Sequence, residues 1–436
     1  MGPAHSLREG PEVVKMREIC RWPARCLALV GVAWSWSAAA EPCSSVSRTN
    51  VVQCALAGSL ERQAGEAAVR AASGRVQATE PFLPSNPELA FTGARRRTAS
   101  ESTLNWSASL GVELEISGQR GARRRAAGAE REAAQRSVNA IERSTAAEAL
   151  RLYFEVLATR EEQRVMKQLE AASTRVWEAA RAAAERGAAA GIEADVADAA
   201  RVATQQRRLE ATRTERAATA SLAGLLGLST TQPLDVSGPL EPLQRAEHVR
   251  RELIPPDSPE VLALAAEKRA ATARASAFRR SRVPNPRVSV IVERDGFNEN
   301  VLGVGLAFPL PLPQPLGRTA AGEIAENEAL AERASLLAEG ERRAARAALA
   351  RALAAYDAAL EASRSFSAER VAHAEQTSAN LAAEVAAGHV PIRDAIVFQG
   401  PLLELQLGAV AARKALCLAS LDVVRAAGLR LEGDLP

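Results

Sequence analysis

Two stretches of alternating apolar and polar residues interrupt a chain of 436 residues that otherwise has the composition of long helices. From Thr103 to Ile116, every second residue is apolar, and the residues between them are polar or glycine. From Leu302 to Leu310, large apolar residues alternate with smaller ones. These runs are long enough for transmembrane β-strands, which need about 9–11 residues. The alternative is that two amphipathic hairpins lie on the helices of a soluble protein.

The number of strands has a consequence for assembly. Two hairpins supply four strands per chain, and four strands cannot close a barrel. Open strand edges are not tolerated in hydrocarbon, so the membrane interpretation requires several copies. Three copies would supply about 12 strands, an even number within the range of bacterial barrels. We therefore predict a homotrimer with one shared barrel.

The second half of the chain repeats the first. Asn86 and Asn285 each precede a proline, and their offset is 285 − 86 = 199 residues. Two further pairs share this offset: Gly118 with Gly317, and Asp195 with Asp394. Each half is therefore expected to contain a helix, a hairpin, a very long helix, a turn and a long returning helix.

The expected segments follow from this repeat. They are a signal peptide (1–40), an N-terminal segment with a short helix (41–83), the first β-hairpin (84–117), the first long helical hairpin (118–232), an equatorial linker (233–257), a helix (258–282), the second β-hairpin (283–316), the second long helical hairpin (317–429) and a C-terminal tail (430–436).

The long helices are predicted from the absence of proline between Gly118 and Gln232 and between Leu316 and Val390. A helix from Gln119 to Arg186 would be on the order of 100 Å long, which is typical of coiled coils. Hydrophobic residues make up 47% of the chain but aromatic residues only 3%, so the helices are expected to pack through alanine. A fibrous rod would explain the helices but not the hairpins. The net charge of +3 gives no argument for nucleic-acid binding.

The N-terminus has the pattern of a secretory signal. Basic residues precede the apolar run "CLALVGVAWSWSAAA", and cleavage is expected after Ala40. Cys43, Cys54 and Cys417 follow it, an odd number without paired spacing, so a disulfide framework is not expected. Cys43 and Cys54 lie close enough in sequence to form one bridge in an oxidising compartment. Neither follows the small residues of a lipoprotein signal, so lipidation is not expected.

Several motifs, in order, resemble the TolC-type outer-membrane efflux family and its CzcC-like branch, which is associated with metal-ion efflux. The resemblance covers roughly residues 84–429. Its motifs are "NPELAF" from Asn86, the strand-to-helix junction "LEISGQRGARRRAA", the end of the first half "SLAGLLGL", the proline-rich "FPLPLPQPLG" and the second tip "AAGHVPIRDAIVFQ".

The resemblance implies a fold and a passive function. The fold would be mainly α, with a trimeric 12-stranded outer-membrane β-barrel, four strands per chain, continuing into a periplasmic α-helical coiled-coil barrel. The protein would be the outer-membrane channel of a tripartite efflux system. Its partners would be a periplasmic adaptor and an inner-membrane RND pump, and its possible cargo would be heavy-metal cations. No catalytic, cofactor or metal-binding set is present in the sequence. The main alternative is a non-channel periplasmic coiled-coil scaffold, similar to an adaptor.

The resemblance also nominates residues. At the two periplasmic tips, Asp195 and Asp394 would form carboxylate rings that favour cations, or would cap the returning helices. His389 would contact a passing cation or be a solvated turn residue. The turn glycines of the tips would be Gly191 and Gly388. The candidate strand-to-helix junction residues are Gly118, Arg120, Pro309, Pro311 and Gly317.

Three local features depart from the family or stay open. Val112-Glu113 stands where the family has Gln-Pro. Gly400-Pro401 interrupts the second returning helix, where proline should break or kink it. Arg95, Arg96 and Arg97 lie at the outer turn of the first hairpin, where they would meet lipopolysaccharide phosphates or form a solvated charge run.

Overall fold

We describe the protein from a computed structural model. The residues described are 43–97, 99, 102–229, 234–251, 257–295, 297, 299–312, 319–429 and 431, so the signal segment 1–40 lies outside them. The first half contains β1 (Ser45–Val46), α1 (Val51–Gly58), α2 (Leu60–Ala78), β2 (Glu88–Arg97), β3 (Ser102–Glu113), α3 (Gln119–Glu185) and α4 (Gly191–Leu225). The second half contains β4 (Asp235–Val236), α5 (Arg245–Arg251), α6 (Pro259–Ser281), β5 (Arg287–Arg294), β6 (Asn300–Ala307), α7 (Ala321–Ser365), α8 (Ala368–Ala386) and α9 (Ile392–Ala426).

The two hairpins pair with each other in one antiparallel sheet of order β2-β3-β5-β6. The central pairing joins β3 to β5, with Leu110 opposite Val290. Since β2 and β6 are the outer strands, each has a neighbour on one side within the chain.

Strand alternation gives this sheet two different faces. One face carries Leu89 and Phe91 of β2. The register aligns these two residues with apolar residues of the other three strands. Those residues are Leu104, Trp106, Ala108, Leu110, Val112, Val288, Val290, Val292, Leu302, Val304 and Leu306. The opposite face consists mainly of serine, threonine, asparagine, glycine and charged residues. Leu89 is 76% exposed and Val304 is 78% exposed, so the apolar face is uncovered in the single chain.

The helices are as long as the sequence predicts in the first half, where α3 has 67 residues. The second half differs, because its long helix is divided between α7 and α8 at Phe366 and Ser367. Ser367 caps α8 by accepting a hydrogen bond from the Arg370 amide at 3.3 Å. The Phe366 ring packs against Gly408 of α9, where an added Cβ would lie 2.9 Å from it. A serine cap and a docked aromatic ring therefore divide a segment that contains no proline.

The repeat changes register along the chain. The strands keep the expected offset, since β2 starts at Glu88 and β5 at Arg287. The turn glycines Gly187 and Gly388 both have positive φ, and 388 − 187 = 201. The helices that follow them, α4 and α9, each have 35 residues at this second offset. The expected match of Asp195 with Asp394 is therefore wrong, because the residue equivalent to Asp394 is Glu193.

The largest apolar cluster surrounds the middle of α3. Tyr153 and Phe154 are fully buried there, and the Tyr153 hydroxyl donates a hydrogen bond to the Ser237 carbonyl at 2.8 Å. The N-terminal segment is fastened to the same place, because β1 pairs in parallel with β4 and a disulfide joins Cys43 to Cys54. The bridge that the sequence allows is thus formed.

Helix α9 passes through Pro401 without a break, so of the expected break or kink the break is wrong, and the kink stays a prediction. Proline clashes with the Cβ of the preceding residue when that residue is helical. The preceding residue is Gly400, which has no Cβ, so the helix continues at the cost of one backbone hydrogen bond. Among the described residues, no helix is long and apolar enough to cross a membrane.

Candidate functional site

The ends of the two long helical hairpins are built in the same way. Gly187 has φ 71° and Gly388 has φ 77°, a left-handed conformation that favours glycine. The Gly187 amide donates to the Ala184 carbonyl at 3.0 Å, and the next amide donates to Ala183 at 2.9 Å. The amides of Gly388 and His389 donate to Val385 and Glu384 in the same pattern. Each turn is thus a Schellman motif, which satisfies the last carbonyls of the helix.

One of the predicted turn glycines is misplaced. Gly388 is the left-handed residue of the second tip, as expected. Gly191 instead begins helix α4, and Gly187 has the turn role in the first tip. The spacing of 201 residues between Gly187 and Gly388 would have identified Gly187. The sequence comparison used a single offset of 199 and therefore did not match these two glycines.

Neither tip aspartate is an N-cap, so the capping interpretation is wrong. The N-cap residues are Ala190 and Pro391, without side-chain cap hydrogen bonds. Asp394 lies in the first turn of α9, where a carboxylate is favoured by the helix dipole. Glu193 occupies the corresponding first turn of α4. Asp195 lies two residues further along the helix and is exposed, as Asp394 is.

His389 is held at the second tip by its own helix. Its Nδ1 atom lies 2.8 Å from Glu384 Oε2, and the side chain is 70% exposed. Among the residues that the structure describes, no cluster of three or more His, Cys, Asp or Glu side chains is arranged to hold a metal ion.

An apolar cluster joins the two tips side by side. It combines residues from four helices, so the turns of both hairpins lie at one end of the helical part. Its buried members are Val176, Ala180, Ala197, Leu381, Ala382, Val385, Ile392 and Ala395. Trp177 lies at its edge, with the guanidinium carbons of Arg201 and Arg181 4.9 Å and 5.9 Å from the ring centroid.

A buried polar contact lies next to this cluster and was missed in the sequence. The Ser173 hydroxyl donates to Gln399 Oε1 at 3.1 Å and lies 3.3 Å from Thr204 Oγ1. These residues belong to α3, α9 and α4, so the contact fixes three helices relative to one another. Gln399 is only 7% exposed. Polar residues within an alanine-rich helical pattern were the available signal.

The strand-to-helix junction depends on two amides. Gly118 has φ 73° and precedes α3. The buried Gln119 amide donates to Asn285 Oδ1 at 2.8 Å, and the Asn285 amide donates to Glu113 Oε1 at 2.8 Å. The second copy of the Asn-Pro motif thus joins the bases of the two hairpins through Asn285.

The other junction candidates are less central. Arg120 donates to the Glu80 carbonyl and lies over the Phe82 ring at 5.7 Å. Pro309 and Pro311 line a cleft with Phe278 and Arg282. Gly317 lies outside the described residues, and Ala320, with φ 51°, precedes α7 as Gly118 precedes α3.

Comparisons with known proteins agree with this architecture. The family model "Outer membrane efflux protein" matches residues 51–228, which contain most of the first repeat. A membrane protein from Pseudomonas aeruginosa is 19% identical, with a TM-score of 0.69 over 88% of this chain and 91% of that one. The outer membrane protein VceC from Vibrio cholerae is 16% identical, with a TM-score of 0.69 over 88% of this chain and 96% of that one.

A third similar structure is the CmeC outer membrane channel of Campylobacter jejuni, which is 15% identical. Its TM-score is 0.64 over 88% of this chain and 86% of that one. No curated protein sequence matches this chain. The expected fold of the single chain, long helical hairpins with four β-strands, is confirmed. The outer membrane efflux match agrees with the expected location in the outer membrane, with most of the mass in the periplasm. The chain therefore has the fold of the TolC-like outer-membrane channels, and residues 51–228 match the outer membrane efflux family.

Proposed function

We propose that three copies of this chain form one outer-membrane channel, a passive export conduit in a tripartite efflux system. The observation that carries the proposal is the four-stranded sheet with its exposed apolar face and two outer strands, β2 and β6. Lipid would cover that face. Pairing of β6 in one copy with β2 in the next would satisfy both outer strands, and three copies would give about 12 strands.

The opposite face of the sheet suits the inside of a pore. Near its base, Arg287 and Glu88 form an ion pair of 2.7 Å across the sheet. Further up, Gly303 and Gly305 of β6 carry no side chain that would narrow the lumen. Since polar and small residues line this face, water would fill the barrel.

The periplasmic partners would meet the tips. Val196 and Val397 occupy equivalent positions in the two returning helices and are 49% and 62% exposed. Ile192 and Phe398 beside them are exposed as well. We propose that this apolar surface contacts the periplasmic adaptor, which links the channel to an inner-membrane RND pump.

The cargo is proposed from the CzcC-like motifs alone, as heavy-metal cations. The scarcity of soft ligands fits a conduit that leaves metal selection to the pump. Asp195 and Asp394, exposed at the tips, would attract cations to the entrance when tripled by symmetry.

The membrane placement is tested by two substitutions of neighbouring residues. Val290 belongs to the apolar face and Ile291 to the opposite face of β5. Val290→Lys should abolish stable insertion, since a lysine on the lipid face near the midplane costs about 2–4 kcal/mol. Ile291→Lys, the matched control, should insert and alter conductance. Equal tolerance of both lysines would contradict the membrane placement and favour a soluble scaffold.

A further inference from the structure

Three arginines end strand β2 at the outer turn of the first hairpin. Arg95 pairs with Leu104 and Arg97 with Ser102 in the register. Because side chains alternate, Arg95 and Arg97 share the face of Leu89 and Phe91. Arg96 points to the opposite face, where its guanidinium carbon lies 5.6 Å from the centroid of the Phe297 ring. On β2, the apolar face therefore ends in two guanidinium groups, and the opposite face in one.

The position along the sheet places these groups at a membrane surface. Arg95 pairs with Leu104, and the apolar alternation runs from Leu104 to Leu114, which is about 33 Å along the chain at 3.3 Å per residue. In a strand tilted by about 40°, this length rises about 25 Å, the height of the apolar band of an outer-membrane barrel. The helices join the sheet at the other end of β2, so the arginines lie at the end remote from the periplasmic part.

The charges of Arg95 and Arg97 are available for a ligand. Arg95 Nε donates to Ser102 Oγ at 2.9 Å, which leaves its two terminal nitrogens. Neither arginine forms an ion pair with another described residue. In the turn of the second hairpin, Asp295 Oδ1 accepts hydrogen bonds from the amides of Phe297 and Glu299 at 2.9 Å and 3.0 Å. A planar guanidinium matches a phosphate group with two parallel hydrogen bonds.

We propose that Arg95 and Arg97 bind the phosphate groups of lipopolysaccharide at the outer leaflet. The arginines extend the lipid-facing surface of β2 to the level of the headgroups, where that lipid carries its negative charge. The inference rests on the proposed membrane placement of the sheet. That placement has its own test, conductance in a bilayer of neutral lipids, so the two can fail separately.

The test uses the full mature protein in a neutral detergent. Its thermal midpoint Tm is measured while lipid A carrying both phosphates, or the same lipid enzymatically dephosphorylated, is titrated. The variants are Arg95→Ala/Arg97→Ala, the charge-preserving Arg95→Lys/Arg97→Lys, and the matched control Arg96→Ala on the opposite face.

Phosphorylated lipid A should raise the Tm of the wild type and of Arg96→Ala, and dephosphorylated lipid should not. In the double alanine variant, the lipid concentration for half the shift should rise at least roughly tenfold, because hydrogen bonds to charged groups are lost. The double lysine variant should keep part of the shift. Equal shifts with both lipids, or equal weakening in Arg96→Ala, would overturn the proposal, and the comparison of lipids on the wild type holds even if a variant does not fold.

Discussion

Single glycines decide how closely the N-terminal helix can approach the first repeat. A Cβ at Gly58 would lie 2.3 Å from the carbonyl oxygen of Leu226, whereas a Cβ at Gly74 would meet nothing within 4 Å. Both glycines are helical residues. They differ in what surrounds them, so they form a matched pair for measuring this approach.

We predict opposite effects of alanine at these two positions. Gly58→Ala should lower the Tm, since the backbone at Leu226, just after α4, has to shift. Gly74→Ala should leave the Tm unchanged or raise it, because alanine is favoured over glycine inside a helix by about 1 kcal/mol. Thermal unfolding followed by circular dichroism gives both values. A Gly58→Ala protein as stable as Gly74→Ala would show that the close contact between the end of α1 and the turn after α4 does not exist.

The carboxyl group of Glu162 in α3 makes the stability of the folded protein depend on pH. Burial raises the pKa of Glu162, with Lys414 opposing and Glu155 adding to the shift. A raised pKa in the folded state means that this group contributes stability at low pH and loses it as the pH rises through that value.

Glu162→Gln should therefore raise the Tm at pH 8, because it removes a carboxylate that is poorly solvated in the folded protein. The gain should shrink towards pH 4, where the wild-type group is protonated. Glu161→Gln is the control, since Glu161 pairs with Arg164 at 3.0 Å and its loss should not stabilise. A Tm difference independent of pH would contradict the role of burial.

At the scale of elements, the alternation of residues was sufficient to predict β3 and β6. It fixed both faces of β3 and β6, since a period of two depends only on local sequence. It did not predict that β3 pairs with β5, or that β1 pairs with β4, because these pairings join residues far apart in the chain. The very long α3 followed from the absence of proline. The division of α7 from α8 did not, because it depends on Phe366 docking against Gly408.

In α9, Pro401 does not end the helix as the sequence predicted. The effect of Pro401 depends on its neighbour, since Gly400 lacks the Cβ that would clash with the proline ring. Helix propensities are assigned to each residue separately, and both glycine and proline have unfavourable values. Their combination is tolerated.

This dependence predicts non-additive substitutions. Gly400→Ala in the wild type should lower the Tm, since the new Cβ meets Pro401. In a Pro401→Ala background, the same substitution should raise the Tm, because only the preference of the helix for alanine remains. No neighbouring side chain interferes, as a Cβ at Gly400 meets nothing within 4 Å apart from its chain neighbours. Additive effects in this double-mutant cycle would exclude the explanation.

At the scale of the whole molecule, the tips are where sequence prediction was least accurate. The turns between the long helices lie close to the predicted positions, but the register after the first turn was wrong by two residues. Only the matched turns around Gly187 and Gly388 show that Glu193 corresponds to Asp394. The buried contact of Ser173, Thr204 and Gln399 was missed, because it forms between three helices that are separated in sequence.

The proposed carboxylate rings predict a change in ion flow. Asp195→Ala/Asp394→Ala should weaken block by divalent cations, because the entrance no longer binds them, and relief of that block should raise single-channel conductance. Asp198→Ala is the control, since Asp198 already pairs with Arg201 at 2.7 Å. Planar-bilayer recordings would measure both quantities. Unchanged conductance and block in the double variant would remove these aspartates from the entrance.

The central claim is that one chain supplies a third of a pore wall whose apolar face needs lipid. The mass of the purified mature protein in detergent tests it most directly, together with its conductance after reconstitution. The account predicts a particle of three copies that requires detergent and conducts ions across a bilayer. A protein that stays monomeric and dissolved without detergent would contradict it.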